Sequence, residues 1–577
     1  MLNEAARLIH HPTGQIPMDV KRLLLVIPLA VLAYLLVIQW NQDYGQPDVN
    51  VPSAPTVSEA PRSGNAASAT DDEGLAAPSD ATASPASSTM PGENATDNRR
   101  SLVQVVTDVL DVRIDPQGGD IVYAALPQHL RSQDSEHPFV LLSDNQVRSY
   151  VAKSGLQLEN HQGRIAFTPE QTSYRLEQDS ETLTVDLAAE VSGVNIIKRF
   201  TFERDSYAVN VSYHLANGSQ EPVTARFIGQ LARDNSPDPS SGVSMGMSSF
   251  LGAAYSSPES HYEKVDFEDV QEGGFNNRDV QGGWVAIIQH YFVSAWVPGQ
   301  DQQNLYYATT DSRNRNVAAF AGPTHTIAPG SEATLDATLY VGPKVQEHLE
   351  EIAPYLELTV DFGWLWFIAN PLFWLLEKIH SVIGNWGWSI VVLTVLVKLV
   401  LFPLSATAYK SMAKMRKLGP EMQRIKEQYG NDRQKMSQEM MKFYQKEKIN
   451  PLGGCLPILI QMPVFIALYW MLLESVELRH APFILWIDDL SVKDPYFVLP
   501  ILMGISMFLQ QQLNPTPPDP TQAKIMKMLP IVFTFFFLWF PAGLVIYWIV
   551  NNTISILQQW FITRKLMADP APASKTK

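Results

Sequence analysis

The sequence predicts a multi-pass α-helical membrane protein, six spans in all, with one large all-β domain held outside the membrane. Three observations predict it. Long apolar runs gather near the N-terminus and again beyond about residue 360, while the middle of the chain alternates over short stretches broken by turn residues. Asn41–Val360 holds 19 Lys+Arg against 43 Asp+Glu, a net of −24, and the rest of the chain carries +8 of the formal −16. That asymmetry suits an acidic part on one side of a membrane and a basic part on the other. Third, Tyr409–Pro451 lies between two apolar runs with 11 basic and 5 acidic residues, and a short loop that basic belongs in the cytoplasm. The single cysteine, Cys455, excludes an intramolecular disulfide framework, and no spacing suggests a zinc site.

Residues 1–22 read as a cytoplasmic N-terminus closing on Lys21-Arg22. Leu23–Trp40, "LLLVIPLAVLAYLLVIQW", is the first span. A signal peptide would have a shorter apolar core and a small-residue cleavage site, which "NQDYGQP" does not supply. Residues 41–100 are rich in Pro, Ser, Ala, Thr and Asp with almost no aromatics, so they predict a disordered tether. Residues 101–343 alternate in runs such as "TLTVDLAAEV" and "YAVNVSYHLANG", which predicts a sandwich. His214, His261 and His290 are scattered through it without an accompanying motif, and they read as surface or satisfied core residues.

Residues 344–384 form a linker and an amphipathic interfacial helix. Asp361, Asn370-Pro371 and Glu377-Lys378 interrupt its apolar run, and Trp364, Trp366 and Trp374 suit the headgroup region. Counting it as a span would put the basic loop outside. Spans are predicted at 386–408, 452–476, 496–513, 528–540 and 543–560. Between them come a cytoplasmic helical hairpin at 409–451, an outer loop at 477–495 and a cytoplasmic loop at 514–527, with a cytoplasmic tail at 561–577. Met412, Met415, Met422, Met436, Met440 and Met441 punctuate the hairpin, as seam residues or as a deformable surface for partner helices.

One charge stands out. Lys398 lies at the midpoint of the apolar run from Trp388 to about Ala408, with only apolar neighbours for three residues on either side. An insertion cost of about 3 kcal/mol is outweighed by the surrounding Val, Ile, Leu and Phe residues, but the ammonium must face protein or water. Helical spacing puts Thr394, Lys398 and Ser405 on one side. Gln461, Ser506, Gln510, Thr534, Asn551, Asn552 and Ser555 add polar groups from other spans, and none is a carboxylate. A proton-coupled path is usually lined with Asp, Glu or His. A cation among amides and hydroxyls implies instead a hydrated cavity for something acidic and polar. The fifth span has only 13 unbroken apolar residues, roughly 20 Å of helix, which should thin the bilayer locally.

Several segments carry a resemblance. "INPLGGCLPILIQMPVFIALYWML", "SVELRHAPFILWIDDLSVKDPY", "FFFLWFPAGLVIYWIVNN", "SMAKMRKLGPEMQRIKEQYG" and "GGWVAIIQHYFVSAWVP" closely resemble the YidC family of membrane protein insertases of Gram-negative bacteria. The resemblance implies a five-helix insertase core in the inner membrane, with a groove open to cytoplasm and lipid but closed to the periplasm, and a periplasmic β-super-sandwich. It places the groove cation on Lys398, where many members have arginine; with the polar residues above, the expected groove is Lys398, Thr394, Ser405, Gln461, Trp548 and Asn551. Trp548 stands where a second tyrosine is common. It places the client slide on Met462, Phe465, Phe536 and Phe537. The implied function is insertion and chaperoning of inner-membrane proteins, without enzymatic chemistry, cofactor, metal or specific nucleic acid. Expected partners are nascent membrane proteins, the Sec translocon, the ribosome and signal-recognition machinery at the cytoplasmic loops, and the lipid bilayer. A secondary transporter with a periplasmic binding domain is the alternative, and solute flux after reconstitution would distinguish it. An anchored periplasmic sugar enzyme would need activity in the isolated β-domain.

Overall fold

The computed structural model describes residues 102–133, 135–159, 161, 163–240, 249–430, 432–447, 456–514 and 520–568. The expected N-terminal segment 1–22, anchor 23–40 and tether 41–100 lie outside the described residues, as do Cys455 and the tail beyond Ala568.

Between Val103 and Pro343 the chain forms two sheets, one of ten strands and one of nine, packed face to face. Local chemistry sets the pairing. Thr182–Val191 and Val194–Glu203 form a hairpin closed by Ser192 and Gly193, both at positive φ (51° and 79°), the turn whose twist matches antiparallel strands. Val194–Glu203 then buries alternate residues, so one face belongs to the core. The centre of the ten-stranded sheet is Val223–Arg233, paired on its two sides with Ser149–Leu158 and Asn316–Ile327. In the other sheet Ala208–Asn217 pairs with Val194–Glu203 and with Glu332–Pro343.

Two buried polar groups illustrate how the sandwich satisfies its interior. The Trp296 indole donates to the Gln230 carbonyl in the opposite sheet at 3.2 Å. Lys198, fully buried, donates to the carbonyls of Gly118 and Gly119 and to Ser154 Oγ at 2.7–3.0 Å. Burial pushes its ammonium well below the usual lysine range.

A short helix, α1 (Phe267–Gln271), decorates the sandwich, and α2 (Gln346–Ile352) leads out of it. The chain then enters α3 (Trp366–Ile383), which buries Ala369, Phe373 and Leu376 and leaves Trp366 and Trp374 exposed. The helical region continues with α4 (Trp386–Val400), α5 (Phe402–Lys417), α6 (Gly419–Tyr429), α7 (Arg433–Lys446), α8 (Leu456–Glu474), α9 (Val498–Leu513), α10 (Pro520–Phe536) and α11 (Ala542–Ala568).

The run 386–408 is not one straight helix, contrary to the sequence expectation. It breaks at Leu401, and α4 and α5 meet at 67°. Pro403 in the first turn of α5 has no N–H to continue the ladder of α4, and its ring crowds the preceding turn. Lys398 therefore stands in the last turn of α4, beside a bend, rather than midway along a rod. Among the described residues no single helix is long and apolar enough to cross a membrane, but the bent pair passes that test together. Gly419-Pro420 stops α5 in the same way, so the first arm of the hairpin is two helices. Asp432 caps α7, accepting from the N–H groups of Gln434 and Lys435 at 3.1 Å. α9 begins at Val498 because Phe497 sits at φ 56° and Asp494 accepts from Leu499 N–H at 2.7 Å. α10 starts eight residues before the expected 528 and gives way to a 3₁₀ turn, Phe537–Trp539, ahead of Pro541.

Candidate functional site

Lys398 is 4% exposed. Its Nζ donates to Ser555 Oγ at 2.7 Å and to Gln461 Oε1 at 3.2 Å. These acceptors come from α11 and α8, so the ammonium ties three helices together. Each acceptor is itself held: Gln461 Nε2 donates to Asn551 Oδ1, and Ser555 Oγ donates to the Asn551 carbonyl at 2.7 Å. Asn551 and Ser555 share one face of α11 at i, i+4. Among the described residues no carboxylate pairs with Lys398. A buried positive charge is thus hydrogen-bonded to neutral acceptors and left uncompensated, an arrangement that favours an incoming anion.

Of the residues named from sequence, Gln461 and Asn551 meet the lysine network. Thr394 is buried on the same helix, but its hydroxyl donates to the Ile390 carbonyl at 2.7 Å. Ser405 is buried beyond the bend, on α5. Trp548 stands on α11, three residues before Asn551. Its ring joins an aromatic cluster, 4.6 Å from Phe465 and 5.4 Å from Phe537 between centroids, and its Nε1 is buried without a hydrogen-bond partner. Ser555 is one of the polar residues of the spans that spacing alone does not set against the lysine; its i, i+4 relation to Asn551 is the signal that finds it.

The expected slide divides. Met462 (39%) and Phe536 (38%) are exposed and Phe465 is half-buried. Phe537 is only 1% exposed, because the 3₁₀ turn rotates it inward against Phe533, Phe540 and Trp548. It supports the apolar face from behind and does not line it. Ile501, Ile505 and Phe508 on α9 and Ile531 and Phe535 on α10 continue an exposed apolar surface. Behind that surface Asn552 Nδ2 donates to Ser506 Oγ at 3.0 Å, tying α11 to α9.

The family model of the 60Kd inner membrane protein matches residues 378–569, and that of the YidC periplasmic domain matches residues 102–375. The chain is similar to the membrane protein insertase YidC of Stutzerimonas stutzeri (strain A1501), 52% identical over 566 residues, covering 96% of this chain and 100% of that one. It is 51% identical over 582 residues to the membrane protein insertase YidC of Pseudomonas aeruginosa (strain PAO1), covering 96% and 99%. Among solved structures, an active YidC insertase crystal structure with the first transmembrane domain resolved is similar at 17% identity and a TM-score of 0.37, covering 80% of this chain and 92% of that chain.

Proposed function

Because the chain belongs to the YidC family of membrane protein insertases, we propose that Lys398 is the receptor charge of its insertion groove. The protein is an inner-membrane insertase with a periplasmic β-sandwich domain, and its clients are membrane proteins entering the bilayer; the relatives carry no catalytic activity in their names. The observation that carries the proposal is the buried, uncompensated ammonium of Lys398 between Ser555 and Gln461.

In this reading a short, often acidic, extracytoplasmic segment of a client enters from the cytoplasm and meets Lys398. The client's apolar helix passes along Met462, Phe465 and Phe536 into lipid. Partitioning of about 20 apolar residues outweighs the cost of carrying a few polar ones across, so no covalent chemistry is needed. The topology that suits this has six spans with both termini cytoplasmic, α4 and α5 together serving as one bent span. The basic segment around α6 and α7 suits docking of the ribosome and signal-recognition machinery, and the Sec translocon is a proposed partner for larger clients. Thr394, Ser405, Asn551 and Trp548 are proposed to shape the groove around the lysine.

The test is insertion of one client with neutral and with acidic tails by wild type and Lys398→Leu in liposomes. Selective loss of the acidic-tailed client supports the reading. Equal insertion of both tails by the leucine variant overturns it.

A further inference from the structure

The loop between α8 and α9 turns on an apolar tip that no described residue covers. Leu485 is 80% exposed there, and Ile484 is exposed beside it. Leu485 also sits at φ 58°, in the left-handed region that disfavours any residue with a Cβ. Glycine or asparagine would relieve the backbone, and a polar side chain would suit water. The turn is nevertheless firmly built. Phe483 N–H donates to the Ile487 carbonyl at 2.8 Å, Ile487 N–H donates to the Ile484 carbonyl at 3.2 Å, and Ile487 is buried. A strained, fixed turn that presents a leucine outward is the kind of feature that a site outside the chain explains.

The neighbours of the tip say what that site is. On one flank Phe483 lies edge-on to Trp388 in the first turn of α4, with 5.3 Å between centroids. On the other flank Trp486 lies edge-on to Tyr496, just ahead of α9, at 6.3 Å. Trp486 Nε1 donates to Asp494 Oδ1 at 3.0 Å, which ties that flank to the residue capping α9. Trp388 and Tyr496 are both exposed, and exposed Trp and Tyr at the ends of membrane helices mark the level of the lipid headgroups. Past Tyr496, exposed Phe497, Ile501 and Ile505 follow at i, i+4 and i+8 along the apolar face of α9. Lys493 is exposed at the rim with its ammonium 6.0 Å from the centre of the Phe497 ring, a place that suits a lipid phosphate. The β-domain meets other parts of the loop. Arg479 Nη2 donates to the Leu130 and Arg131 carbonyls at 2.7 and 3.1 Å, and Gln133 Nε2 donates to the Asp488 carbonyl at 2.7 Å.

We propose that Ile484 and Leu485 dip into the outer leaflet of the bilayer, so that the loop is a lipid-binding element in its own right. Acyl chains supply the burial that Leu485 lacks within the chain, and Trp388 and Tyr496 flank the tip at headgroup level. The loop is then held twice, by the β-domain through Arg479 and Gln133 and by lipid through its tip. This rests on the proposed topology only in naming the leaflet, and it is independent of the role given to Lys398.

The test uses the purified full chain with Cys455→Ser, carrying one new cysteine labelled with an environment-sensitive dye, in liposomes doped with a lipid spin-labelled near the headgroup end of its acyl chain. Leu485→Cys is compared with Gln220→Cys in the β-domain and Ile505→Cys on α9. The label at 485 should be quenched at least threefold more than the label at 220 and within twofold of that at 505. Ile484→Glu added to Leu485→Cys should return the quenching to the level at 220, while retained insertion of a neutral-tailed client shows that the chain is folded. Equal quenching at 485 and 220 would overturn the proposal. So would quenching at 485 that survives Ile484→Glu, because the dye itself would then have drawn the tip into lipid. Weak quenching in liposomes together with protection of Leu485→Cys from a water-soluble maleimide in native membranes would assign the tip to a protein partner and overturn the lipid reading.

Discussion

At Lys398 the chemistry turns on two neutral acceptors and one unmatched charge. Lys398→Arg should support both acidic and neutral tails, because the charge is kept. Lys398→Leu should span more readily by about 3 kcal/mol, yet insert acidic tails poorly. Lys398→Glu should be worse still, since like charges repel in a poorly screened cavity. Ser555→Ala removes the 2.7 Å acceptor and leaves only Gln461, while Ser555→Thr keeps a hydroxyl. A hydrogen bond to a charged group is worth about 1.5–3 kcal/mol, so the alanine variant should lower acidic-tail insertion several-fold and the threonine variant should not. Equal acidic-tail insertion by both would remove Ser555 from the site. The lysine was legible because a charge inside an apolar run has few explanations. Its partners were only half legible. Polar residues in spans can be counted from sequence, but which of them meet depends on how helices rotate against one another, and packing decides that. Aromatic residues are harder again, since Phe536 and Phe537 are adjacent and identical in type, and only the 3₁₀ turn makes one exposed and the other buried.

Among the elements, local punctuation sets the boundaries. Ser192-Gly193, Asp432 and Gly419-Pro420 are each local signals with a local result. Pro403 lies in plain view within the 386–408 run, and the backbone obeys its missing N–H rather than the run's hydrophobicity. The hairpin gives a sharper lesson. Met422, Met440 and Phe443 form a buried seam, whereas Met441 is 52% exposed. Both expected roles of methionine thus have candidates. Tyr409 and Met412 instead pack against Ile562 of α11, so the start of this segment belongs with the helical region. Replacing residues 419–447 with a flexible linker should therefore shift the melting midpoint of the remainder by only a few degrees while reducing client crosslinking. Extending the replacement back to Tyr409 should destabilise the remainder by several more degrees, because Ile562 and its neighbours lose their cover. Equal stability of the two deletions would count against that division.

Across the whole molecule, sidedness can be tested directly. A cysteine placed at exposed Gln220 in the β-domain should label from outside intact cells, and one at exposed Gln434 in α7 should not; the reverse would overturn the topology. Stability should also depend on pH through the face where the β-domain meets the loop. Burial, with Arg479 and His480 nearby, holds His129 down from 6.5 to about 4. Burial also pushes His290 down, against the attraction of Glu474. Both groups prefer to be neutral when folded, so the unfolded chain binds more protons below pH 6.5. Their stabilisation is present above that pH and is lost as pH falls towards 4. The melting midpoint of the full chain should drop between pH 7.5 and 5, and His129→Gln should flatten the drop. The contact between the β-domain and the outer loop 477–495 has a further consequence in time. Gln133 and Asp488 are 355 residues apart, so at about 5–20 residues per second a ribosome needs roughly 20–70 s to make the second after the first. Every newly made copy therefore completes its sandwich before the loop and α11 exist, and the sandwich face waits for the loop to arrive.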